Sequence, residues 1–380
     1  MSLAVATIGW VFLTLAVVGI GYTLASAWIT FRFLRAPHPE PTASPDVTIV
    51  KPLHGAHPHL RETLEGFCVQ DYPGAVQIVF GVQDDADPAI PVVRDLQASH
   101  PQLEIDLVID DQMHGVNRKA SNLINIAAEA KYEVLILSDA DIVVDGAYLR
   151  KVVAALSVPG VGAVSCLYVG LDEATLWSKL SAMAIDYQFL PGAVLGTAMG
   201  LAQPCFGSTI ALHADVLARI GGFVAFADHL ADDYEIGRAV RGLGLRVDIP
   251  PMVVLHHSPE ASLRELVSHE LRWSRTVRQI DAAGHAGSFI THPLPLAAIA
   301  AILLGASPLS LGILAAALAV RLLSKHLIDR ATGARAGSWW LIPGRDVLSF
   351  GIFIASFFID TVGWQGRRFR VGRDGVIFHR

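Results

Sequence analysis

The chain has 380 residues, of which 52% are hydrophobic and only 17% charged, and its mean hydropathy of +0.46 is too apolar for an ordinary soluble enzyme of this size. Cys68, Cys166 and Cys205 lie far apart with no CxxC pair, which speaks against a disulfide framework or a zinc ribbon and fits a reducing compartment. A net charge of -6 and a pI near 6.2 leave no basic excess, so no nucleic acid is expected as the main partner.

From Met1 to Phe31 there is no acidic or basic side chain. A helical span needs about 20 apolar residues, so 4–28 is expected to cross a bilayer, with 1–35 as an uncleaved anchor. Arg32 and Arg35 follow it, which places the N-terminus outside and the remainder in the cytoplasm. Residues 46–281 read as one α/β domain. Strand-like runs at 47–52, 76–82, 105–109 and 134–138 alternate with helical ones at 59–70, 88–99 and 119–130. This alternation predicts a mostly parallel sheet, with ligands at the carboxyl ends of its strands. The helical stretch 176–199, with Trp177, Met183, Tyr187 and Phe189, is expected to be part core and part lipid-facing. An uncharged run over 282–320, interrupted by Gly305-Ala306-Ser307-Pro308 and flanked by arginines, predicts a transmembrane hairpin over 282–325. The apolar segment 347–365, which contains Asp360, places a membrane-associated or re-entrant element in 338–370, before a tail at 371–380.

Carboxylates gather where these strands end. The run 76–82 leads into Gln83-Asp84-Asp85-Ala86-Asp87, with Asp84 nearest the strand; a solvated surface turn has the same look. The run beginning at Val134 ends in Ser138-Asp139-Ala140-Asp141, where two carboxylates one residue apart point to the same side of an extended chain. Together with diphosphate oxygens such a pair suits a hard divalent cation, Mg²⁺ or Mn²⁺. Asp232 and Asp233 open a helix that Gly244 closes. Acids in a first turn are often dipole partners only; the alternative is a general base whose pKa the helix N-terminus lowers. Gly115-Val116-Asn117-Arg118-Lys119 opens another helix and offers backbone amides and two cations to a phosphate. His256 and His257 end an apolar strand at 253–255, and one of them is a candidate to complete a metal shell, whereas His54, His57 and His59 read as loop residues. On the helix 262–279, Arg272 suits a bidentate phosphate contact and Trp273 a membrane interface or a lipid or sugar face, with His269 one turn earlier.

Five segments, Lys51-Pro52-Leu53-His54-Gly55, Asp71-Tyr72-Pro73, Val82-Gln83-Asp84 with Asp87-Pro88-Ala89-Ile90, Gly115 to Lys119, and Asp232-Asp233-Tyr234, together resemble the ceramide glucosyltransferases and the bacterial relatives that glycosylate hopanoids. The similarity covers nearly all of residues 46–281. The resemblance implies a GT-A fold, a UDP-sugar donor and a membrane-lipid acceptor. It implies that Asp84 contacts uridine, that Asp139 and Asp141 hold ribose, metal and diphosphate, and that Lys119 stands beside the donor. Asp233 would be the base, with Asp232 secondary to it. Arg272 and Trp273 match the family's final (Q/R)xxRW motif and would bind the diphosphate or place the acceptor; His269 replaces its leading Gln or Arg. The eukaryotic ceramide enzymes have an altered second motif, whereas Asp139-Ala140-Asp141 keeps both acids. That leans toward the bacterial branch, within which His292-Pro293-Leu294-Pro295 resembles the hopanoid enzymes that move N-acetylglucosamine to bacteriohopanetetrol at a bacterial inner membrane, ahead of glucose transfer to ceramide. A processive polysaccharide synthase needs a larger channel than three or four apolar segments build. Transfer to polyprenyl phosphate is a further alternative. A nonenzymatic binding module would not require Asp84, Asp139, Asp141, Asp233 and Arg272 together.

Overall fold

The computed structural model describes residues 2–39, 43–173 and 175–359, and the strands at 362–364, 367–371 and 377–379 by their backbone. The chain forms two compact units, one of residues 1–36, 169–202 and 258–370, the other of residues 37–168, 203–257 and 371–380. The stretch expected at 46–281 is therefore divided between them, because the helices within 176–198 and 263–280 pack with the apolar ones.

The second unit is built on β1 (Val47–Pro52), β2 (Val76–Val82), β3 (Glu104–Ile109), β4 (Val134–Leu137), β5 (Ile142–Val143), β6 (Val161–Ser165), the start of β7 (Leu167–Asp172), β8 (Ile210–His213), β9 (Arg246–Asp248) and most of β10 (Val253–Ser258). Its main sheet has the order β3-β2-β1-β4-β8-β6-β9. Every pairing in it is parallel except those of β8 with β4 and β6, so β8 alone among these strands runs against the rest. Alternation sends Ile49, Ile78 and Ile136 to one face, where they pack on Leu64, Phe67, Val93 and Leu96. Val50, Val79 and Leu135 go to the other, against Leu123, Ile126, Ile236 and Val240. Burial on both faces explains why these strands read as continuous apolar runs. The short β5 pairs antiparallel with β10. His256 and His257 therefore lie inside a strand that continues to Ser258, whereas a strand ending before them was expected. His57 and His59 are in a loop, as expected, but their rings pack on His257 with centroids 5.2 and 5.4 Å away.

In the first unit the helix Leu3–Phe33, with no charge before Arg32, is long and apolar enough to cross a membrane, and so is Pro308–Thr332. Ala16, Leu294, Leu296, Ala297 and Ala317 form the core between these helices and Pro293–Leu303. The expected break falls where the sequence placed it, with Gly305 and Ala306 both at positive φ. The preceding arm differs from a simple hairpin: Ala282–Thr291 and Pro293–Leu303 meet at 65°. His292 leaves helical geometry there, and Pro293 and Pro295 favour the start of a new helix over the interior of an old one. The stretch 176–199 is helical but passes through a π-helical turn at Ile185–Phe189. Such a turn frees a backbone carbonyl, and Tyr187 O accepts from Arg321 Nη1 at 2.8 Å. The same guanidinium makes two 2.7 Å bonds to Asp346, on the helix Ile342–Ala355. At 14 residues that helix is shorter than a span. Val362–Trp364 then pairs antiparallel with Arg367–Val371. Asp360, and positions 372–376 and 380 of the expected tail, lie outside the described residues.

Candidate donor-binding and catalytic site

Two loops at the carboxyl end of the parallel strands bring the acids together. Asn117 caps the helix Arg118–Ala127 through the Ala120 N–H, and its side-chain amide donates to His229 O at 2.8 Å. Its main-chain N–H donates to Ala227 O, and Val116 N–H donates to Asp228 Oδ1, both at 2.8 Å. The Gly115 to Lys119 turn is thereby fixed to the loop that ends in Asp232 and Asp233. Gly115 belongs there because a Cβ would stand 2.5 Å from Ala227 O.

This lacing sets Lys119 among three carboxylates. Its Nζ is 2.5 Å from Asp139 Oδ1 and 3.8 Å from Asp232 Oδ2. Burial alone would lower the ammonium's pKa, but Asp139, Asp232 and Asp233 outweigh it and hold it above the usual lysine value. Asp139 is shifted up by burial and by the neighbouring Asp141 and Asp232, in spite of Lys119. Asp233 Oδ2 accepts the Gly207 N–H at 2.9 Å and Oδ1 accepts its neighbour Tyr234's N–H at 2.8 Å. Its carboxyl is pushed up to about 6, by burial first and Asp232 second. The expectation that a helix N-terminus lowers this pKa is thus corrected: desolvation and a like charge one residue away outweigh the first-turn amides. A carboxyl near 6 remains mostly ionised at pH 7 and is a better proton acceptor for the shift.

Asp141 faces a different partner. Its Oδ2 lies 3.3 Å from His256 Nε2, and its backbone oxygen accepts the His257 N–H at 3.0 Å. Burial would raise its pKa, but His256 holds it well below the usual carboxylate range. The other oxygen, Oδ1, is buried and accepts no hydrogen bond among the described residues. Among those residues no three His, Cys, Asp or Glu side chains converge as a metal shell. Two carboxylates with one unsatisfied oxygen fit a hard cation whose remaining ligands come from a substrate diphosphate and water.

Asp84 stands apart, exposed, its Oδ1 accepting the Ala86 N–H at 3.0 Å. Its neighbour Asp87 is structural: it is buried and accepts the Gly55 and Ala89 N–H groups. His269, Arg272 and Trp273 belong to the first unit, on the helix Leu263–Ile280. There His269 Nδ1 is 2.5 Å from Glu260 Oε1, and the His269 and Trp273 rings meet edge to face at 4.3 Å.

Sequence reasoning assigned no site role to Lys51, Gly207 or Glu260. Lys51, fully buried over the Phe67 ring, donates to Asp139 O at 2.8 Å and to Ser138 Oγ at 3.3 Å. Burial, opposed by Asp139 and Asp141, lowers its ammonium pKa to about 7. A lysine followed by proline at the end of an apolar strand was the visible signal. Gly207 had none: the three-acid site it touches is assembled from segments distant in sequence.

The family model for glycosyl transferase family 21 matches residues 11–377. The chain belongs to glycosyl transferase family 21. Ceramide glucosyltransferase 1 of Caenorhabditis elegans is 23% identical to this family 21 chain over 254 residues, or 66% of this chain and 54% of that one. The ceramide glucosyltransferase of Candida albicans is 31% identical over 122 residues, covering 29% and 22% of the two chains. This family 21 chain spans about half the length of the two nematode relatives it matches. Among solved structures, a mannosyltransferase from Pyrobaculum calidifontis in complex with GDP-Man and Mn²⁺ aligns with a TM-score of 0.53 at 24% identity, over 92% of this chain and 99% of that one. A likeness of that degree establishes the glycosyltransferase GT-A fold alone.

Proposed function

We propose that the protein is an inverting glycosyltransferase that moves a sugar from a UDP donor to the hydroxyl of a membrane lipid. The observation that carries this reading is the clustering of Lys119, Asp139 and Asp232, with Asp233 braced by Gly207, at the carboxyl end of the parallel strands. In the proposed reaction the acceptor oxygen attacks the anomeric carbon in a single displacement. Asp233 takes the hydroxyl proton, the new glycosidic bond forms, and the bond to the β-phosphate oxygen breaks to release UDP. Lys119 offers positive charge to the departing diphosphate, and Asp84 receives the uridine end. Asp139 and Asp141 would hold a divalent cation, Mg²⁺ or Mn²⁺, which when bound supplies Lewis-acid stabilisation of the leaving group. Arg272 and Trp273 are assigned to diphosphate and acceptor on the strength of the motif they match.

The acceptor side rests on the apolar helices, which favour a lipid entering from the bilayer. The intact Asp139-Ala140-Asp141 motif favours the bacterial branch, and within it the resemblance at His292-Pro293-Leu294-Pro295 favours transfer of N-acetylglucosamine to bacteriohopanetetrol, in a bacterial inner membrane with the α/β unit on the cytoplasmic side. The names of the relatives favour the second reading, glucose transfer to ceramide. Mass spectrometry of lipids after incubating detergent-purified protein with Mn²⁺, both UDP-sugars and both acceptors tests the proposal. An N-acetylhexosamine added to the hopanoid is the expected product, a hexose on ceramide would select the second reading, and unmodified lipids under all conditions would overturn both.

A further inference from the structure

Glu260 lies in the loop before the helix Leu263–Ile280, buried to 4% exposure, and its main-chain oxygen accepts the Thr175 hydroxyl at 2.8 Å. Its carboxylate meets His269 Nδ1 at 2.5 Å. Burial would raise the Glu260 pKa, but the His269 contact outweighs it and the net shift is downward, so the group is ionised at neutral pH. One turn further along the helix the Trp273 indole meets the same imidazole at a centroid distance of 4.3 Å and an interplanar angle of 61°. A carboxylate taken out of water is expensive unless paired, and an apolar side chain would fill the same space without that penalty. What the carboxylate adds is orientation. An imidazole has two torsions, and anchoring Nδ1 on a fixed carboxylate sets both, together with the edge that the ring presents to the indole. Edge-to-face packing then fixes the indole in turn.

We propose that Glu260 is a positioning residue for acceptor recognition, locking the His269 ring against Trp273 and so fixing the indole surface that a lipid acceptor meets. The inference rests on the lipid-transfer reading and on the place of Trp273 in it. It explains how a histidine serves at a motif position that otherwise takes Gln or Arg: those are flexible chains that find their own partner, whereas the shorter ring needs a second residue to aim it.

The test uses full-length protein in lipid nanodiscs, with donor and acceptor varied separately. Glu260→Gln keeps the shape but exchanges the charge-assisted anchor for a neutral amide, roughly half as strong and able to turn its NH2 to the ring, so Nδ1 is no longer held in one orientation. It should raise the acceptor KM about tenfold and change the donor KM by less than about twofold. His269→Ala should do the same, and the double variant should be no worse than His269→Ala, because Glu260 acts through that ring. Should His269→Ala not fold, His269→Phe, which keeps a ring but has no Nδ1 for Glu260 to hold, takes its place in the cycle. An unchanged acceptor KM in Glu260→Gln, or fully additive effects in the double variant, would overturn the inference while transfer itself stands. Wild-type protein that transfers sugar to neither lipid would overturn the transfer reading and this inference together.

Discussion

Gly207 donates its main-chain N–H to Asp233 Oδ2 at 2.9 Å, and a methyl group at position 207 would stand 2.9 Å from Asp139 Oδ2 and 3.0 Å from Lys119 Nζ. One glycine thus touches the proposed base and the proposed donor site together. Gly207→Ala displaces only the ends of flexible side chains, so stability should change by less than about 1 kcal/mol. Transfer should nonetheless drop by a factor on the order of 100, since small misplacements are costly in an oriented site. Thermal unfolding and initial rates on the same preparation check the two halves.

Lys119→Met leaves Asp139 and Asp232 without their cation. Removing one partner of a mostly buried pair destabilises by about 3 kcal/mol. Affinity for UDP, measured by calorimetry, should fall with it. Lys119→Met with unaltered UDP affinity would remove this side chain from the donor site.

The pH dependence follows from Asp233. Its carboxyl is raised to about 6, and a general base works only when deprotonated, so kcat/KM should fall as pH drops below about 6 and level off above it. Stability runs the other way. A carboxyl whose folded pKa exceeds its unfolded value favours the folded state most below the unfolded pKa, near 3.8, and loses that contribution as pH rises through 6. A pH–rate profile without a lower limb, or with one near 4, contradicts the assignment.

His256 holds one oxygen of Asp141, while the other, buried and accepting no hydrogen bond among the described residues, is the one assigned to a cation in the proposed function. Chelator should abolish transfer, and Mn²⁺ or Mg²⁺ should restore it. Replacing a residue that orients a metal ligand typically weakens metal affinity about 10- to 100-fold, and His256→Phe should require that much more metal for half-maximal rate.

The α/β unit was largely legible because burial on both sheet faces writes itself as apolar runs, and strand ends then picked out Asp84, Asp139 and Asp141. Local patterning does not report contacts between distant segments, which is why the Gly207 contacts and the Glu260–His269 pair were invisible, and why Lys51, marked out by its place before a proline at a strand end, did not reveal its bond to Asp139. The sign of the Asp233 shift is opposite to what its helix position predicts for a related reason: helix position is local, whereas the burial and the Asp232 charge that win depend on how the loop packs. The π-helical turn at Tyr187 left no trace in the periodicity of 176–199, since its partner Arg321 lies 134 residues further on.

The role of Asp233 is tested most directly by UDP-sugar binding and lipid transfer measured on Asp233→Asn in the same preparation. Donor affinity should stay close to that of the wild type while transfer falls by about 10²- to 10⁴-fold, the usual contribution of a general base. Folded Asp233→Asn protein that retains full transfer would contradict that role.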